Sequence, residues 1–85
     1  MGEVDAARKL YEEVIEGETA QLGGSHTSTL RSRINFAIFL ANTGDVVGSK
    51  AMMDELLVIA TEHHGAQHPL TQKIAGFVGQ LESMM

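Results

Sequence analysis

The chain has 85 residues, a formal net charge of −5 and no cysteine. That size allows one small domain with a thin core, the missing cysteines exclude disulfides and thiolate metal sites, and six basic residues under an acidic total exclude the electrostatic footprint of a nucleic-acid binder. No apolar run is long enough to span a bilayer, and the start Gly2-Glu3-Val4-Asp5 is acidic where a secretory signal is basic, so a soluble, cytoplasmic chain with no membrane contact is expected. The first helix is predicted from Glu3 to Leu22, with Val4, Ala7, Leu10, Tyr11, Val14, Ile15 and Leu22 at three- and four-residue spacing. Gly23-Gly24-Ser25 stops it, and Ser25, Thr27 or Ser28 offers a cap for the next helix. The second helix, predicted from Thr27 to Thr43, holds Phe36, Ala37, Phe39, Leu40 and Ala41, a run too apolar for a surface helix, so both its sides are expected to meet other helices. Gly44 ends it in a left-handed conformation, and Asp45 can cap the next helix. This third helix is predicted from Val46 to His64 around the apolar Leu56 to Ala60. After Gly65, a fourth begins near Pro69, whose missing N–H costs nothing in a first turn, and carries Leu70, Ile74, Phe77, Val78, Leu81 and Met84 as a stripe.

Charge is uneven along this order. Residues 1–22 sum to −4, whereas residues 26–43 carry Arg31 and Arg33 with no acid. The chain also overlays on itself at an offset of 42, which brings Gly2 onto Gly44, Val4 onto Val46, Glu13 onto Glu55, Thr19 onto Thr61, Gly23 onto Gly65, His26 onto His68 and Thr29 onto Thr71. A period of this length is the signature of stacked helical units.

Gly2, Ala7, Leu10, Tyr11, Val14, Ile15, Leu22-Gly23, His26 and Thr29, repeated in part as Gly44, Leu57, Gly65, His68-Pro69 and Thr71, resemble the tetratricopeptide repeats of kinesin light chains and related scaffold proteins. Ser49, Met52, Met53 and Leu56 depart from that pattern, as does Phe77 where the second helix has Asn35. The resemblance implies an all-α fold of antiparallel helical hairpins stacked as a short solenoid. The single domain spans residues 1–85 in two units, 2–43 and 44–85, and its four helices run B-A-B-A. In that family the A helices line a concave groove. Here this implies Arg31, Ile34, Asn35, Ile38 and Asn42 from the second helix, and Lys73 from the fourth, as a surface for a peptide or partner helix.

Arg31 and Lys73 are 42 apart, at equivalent places near the starts of the two A helices. They admit two readings: solvated surface charges, the commoner case, or the basic end of a groove suited to an acidic peptide. The methionines likewise admit a core-filling and a contact reading, with Met84 and Met85 at the chain end favouring contact. His26 and His68 recur in turns and are expected to pack or hydrogen-bond. His63, His64 and His68 invite a metal, but Gly65 and Pro69 break the helix between the last two and no third ligand is at hand, so neither metal nor cofactor is expected. No nucleophile-base spacing or phosphate loop is present, and no enzyme is expected. Reading from the second helix of a unit leaves the first and fourth helices each uncovered on one side. Homo-oligomerisation through Tyr11 on one and Phe77, Leu81 and Met84 on the other is therefore the alternative function.

Overall fold

The computed structural model describes residues 2–85. They form four helices: α1 (Gly2–Leu22), α2 (Thr27–Asn42), α3 (Val46–His64) and α4 (Pro69–Met84). Consecutive helices pack on one another, α2 between α1 and α3, and α3 between α2 and α4. The Cα extents are 39 × 35 × 15 Å, a flattened body. Side chains are hidden mainly by the helices adjacent in sequence.

The turns are built from side chains that meet orphan backbone groups. Asp45 accepts from the Gly48 N–H at 2.8 Å, as an N-cap must. At the start of α2 the cap is His26, whose Nδ1 accepts from the Ser28 N–H at 3.1 Å; none of the expected hydroxyls serves. His68 repeats this at α4, accepting from the Leu70 N–H at 3.1 Å. An imidazole two residues before the N–H reaches it as well as a hydroxyl would, which is why the histidines recur at the period. Gly44, at φ +100°, closes α2: its own N–H donates to the Ala41 carbonyl at 3.1 Å, and the Asp45 N–H donates to Leu40 at 2.8 Å. That pair of bonds is the left-handed helix end expected of glycine.

The core comprises Leu30, Ile34 and Ala37 of α2, Met53, Leu56 and Ala60 of α3, and Leu70, Ile74, Val78 and Leu81 of α4. Its centre is α3, where Leu56 and Ala60 are fully hidden. Ser49, in the place where the tetratricopeptide pattern has alanine, is buried and donates to the Ala37 carbonyl at 2.6 Å, tying α3 to α2. The Arg33 guanidinium and Glu55 carboxylate, 3.4 Å apart, close the rim of the same contact. α1 stands apart: none of its residues is buried. No helix is long and apolar enough to cross a membrane among the described residues.

Candidate functional site

Two surfaces carry the features that could recognise a partner. The first lies between α2 and α4. Arg31, Ile34, Asn35 and Lys73 line a cavity of about 170 Å³, and Arg31 and Lys73 also border a neighbouring one of about 240 Å³ with His68, Pro69 and Leu70. Farther along, Ile38 and Asn42 face Phe77, Gln80 and Met84 across a cavity of about 180 Å³. All six residues expected in the groove thus line this face. Ile34 is buried and forms its floor, whereas Arg31, Asn35, Asn42 and Lys73 are exposed. The ion pairs among the described residues, Arg33 with Glu55 and Lys50 with Asp54, leave Arg31 and Lys73 without a carboxylate. Both cations stand near helix N-termini, where unpaired N–H groups add to the positive field.

The second surface is the joint between α1 and α2. Tyr11 stacks on Phe36 with ring centroids 5.5 Å apart and lies tilted against Phe39 at 5.2 Å. One helical stretch further, the Glu18 carboxylate accepts hydrogen bonds from the Ser28 and Ser32 hydroxyls. Beside this joint an open trough of about 410 Å³ is lined by Ala7, Leu10, Tyr11, Val14, Ser32 and Asn35. The residues expected to mediate self-association are spread unevenly: Tyr11 and Phe77 are half-buried, Leu81 is in the core at 5% exposure, and Met84 is 62% exposed.

The Ser28 bond, and then the Ser32 bond, hold the Glu18 carboxyl below its ordinary value. A depressed folded-state value means that its contribution to stability is fully present above the ordinary carboxylate range and is lost as pH falls through the folded value. Glu18→Gln should therefore lower the melting temperature near neutral pH and lose that penalty as the pH falls through the folded-state value. Thermal melts across this range check it, and a penalty independent of pH would deny the charge any role. The bond was not foreseen from the sequence, yet a signal was there: Glu18 lies 42 before the fully buried Ala60, and Ser28 and Ser32 are one helical turn apart.

The histidines meet in an unforeseen way. The break at Gly65 and Pro69 was expected to separate His64 from His68, but the turn folds the rings together with centroids 5.1 Å apart. His64 Nε2 lies 2.7 Å from the Ser25 carbonyl, joining the end of α3 to the α1–α2 turn. Among the described residues no three histidine or carboxylate side chains come together to hold a metal. Met53 is buried in the core and Met52 is half-buried, while Met84 and Met85 are exposed.

No curated protein and no solved structure matches the chain. A family model does: residues 29–70, just under half of the chain and equal in length to the internal offset, match the tetratricopeptide repeat. The matched segment starts in the first turn of α2, runs through α3 and ends at Leu70 in α4, so it is read as an A helix followed by a B helix. Residues 29–70 are thus similar to a tetratricopeptide repeat, and the four stacked helices are consistent with a short all-α helical repeat of that kind.

Proposed function

We propose that this chain is a cytoplasmic scaffold module of the kinesin-light-chain variety, built of two units at 2–43 and 44–85, that binds an acidic peptide or partner helix along the α2–α4 face. The tetratricopeptide match supports a protein-interaction module of a non-catalytic repeat type. The observation that carries the finer reading is the pairing of Arg31 with Lys73: from different helices they border the same two cavities, and neither has an acidic partner among the described residues. Ile38, Phe77 and Met84 continue the surface with apolar contacts beyond the cations. Cations of this kind govern encounter rate and partner choice, and their effect falls with added salt. A glutamate-rich peptide should shift the amides of α2 and α4, and the double variant Arg31→Glu, Lys73→Glu should weaken binding by about tenfold or more. Shifts confined to α1, or binding insensitive to both substitutions, would defeat the groove.

Self-association through α1 and α4 is the second reading, supported on the α1 side by exposed Leu10 and Val14; on α4 only Met84 of the expected contact residues is exposed, and it lines the α2–α4 face. Sedimentation at high micromolar concentration tests it. A folded monomer there would leave the groove as the working surface.

A further inference from the structure

α1 leaves open a surface whose counterpart on α3 is covered. On α3, Leu56 lies in the core with Met52 and Ile59 half-buried against it, and Glu55 pairs with Arg33 of α2. The positions 42 earlier on α1 are Leu10, Val14 and Gly17, with Glu13 in the place of Glu55. Leu56 is fully hidden, whereas Val14 is 53% exposed and Leu10 61%. The trough between α1 and α2 fits the same comparison. Two of its lining residues, Ala7 and Tyr11, lie 42 before Ser49 and Met53, which line the cavity where α2, α3 and α4 converge. The α3 surface is covered by a helix of known pattern: Leu30, Ile34, Ala37 and Ala41 on one side, with Arg33 beside them.

We propose that the α1 trough binds a basic amphipathic helix of another protein, one that repeats the α2 pattern and places an arginine or lysine against Glu13. Charge argues for a cationic partner, because residues 1–22 sum to −4. A second copy of this chain is a poor occupant. The α4 positions 42 beyond Leu30, Arg33, Ile34, Ala37 and Ala41 are Gln72, Ala75, Gly76, Gly79 and Ser83, all exposed and none large and apolar. That side of α4 offers only small or polar residues to a partner, and the matching side of α2 is already held by α3.

A synthetic peptide of residues 27–43 supplies the probe. Titrated into the full chain, it should gain helicity and produce saturable amide shifts in α1 from Ala7 to Gln21, with α3 unchanged. Val14→Glu should weaken binding by about tenfold or more, since it places a charge in the apolar seat. Glu13→Arg should weaken it several-fold, and a peptide carrying Arg33→Glu should recover the loss. Both side chains point into solvent in the free chain, so unaltered circular dichroism of the variants separates lost binding from lost fold. The proposal is overturned by shifts centred on Arg31 and Lys73, by no shifts at millimolar peptide, or by a chain that dimerises alone and becomes monomeric with Val14→Glu. Arg31 and Lys73 remain intact throughout, so failure here leaves the α2–α4 groove standing.

Discussion

Leu56→Ala is expected to bring the domain to the edge of unfolding. Leu56 is fully buried at the middle of α3, the helix that packs against both α2 and α4. Removing a buried leucine side chain to its first carbon costs about 2–5 kcal/mol, the upper end applying where the site cannot collapse. Collapse is restricted here because Leu56 sits in a core whose other members, from α2 and α4, are themselves held in their helices. Against a total of roughly 0.05–0.15 kcal/mol per residue, that loss is a large share of the stability of so small a chain. Urea denaturation should show a midpoint lowered by about half, with an unfolded population already visible in buffer at the upper end of the range. Val58→Ala on the same helix, at 57% exposure, should stay within about 0.5 kcal/mol. A loss below about 1 kcal/mol for Leu56→Ala would mean that α3 is not the centre of the core.

What the sequence disclosed and what it withheld divide along physical lines. Helix limits were legible because glycine and proline act locally: α3 runs from Val46 to His64 as its flanking Asp45 and Gly65 indicate, and α2 ends one residue early, at Asn42 in place of Thr43. The equivalence of Arg31 and Lys73 was legible through the period, since their spacing puts them on equivalent turns, and both border the same cavity. Contacts between helices with no periodic counterpart were not legible. Glu18 finds Ser28 and Ser32 only because α1 and α2 cross there, and His64 finds the Ser25 carbonyl across 39 positions of chain. The apolar stripe of α4 was read as one surface. In space it divides: Leu70, Ile74, Val78 and Leu81 turn into the core, while Phe77 and Met84 turn toward α2.

Tyr11→Ala should release α1 while leaving the other three helices folded. α1 holds 21 residues, and none of them is buried, so its attachment rests on half-buried groups: Tyr11 against Phe36 and Phe39, Ala7, Ile15, and the Glu18 hydrogen bonds. Tyr11 is the largest of these, and truncating it removes two ring contacts and most of the apolar area at the joint, a loss of about 2–3 kcal/mol. A detached helix of this length is marginal in water, and Gly17 at its centre lowers its propensity further by about 1 kcal/mol. The variant should therefore lose more than a quarter of the helical signal. Hydrogen exchange should become fast in α1 and remain slow at Leu56, Ala60 and Ile74, as expected when opening is local. Tyr11→Phe, which keeps the ring, should behave as the parent chain. If Tyr11→Ala instead exposes all four helices together, α1 is an integral part of the cooperative unit, and its lack of buried side chains understates its hold on α2.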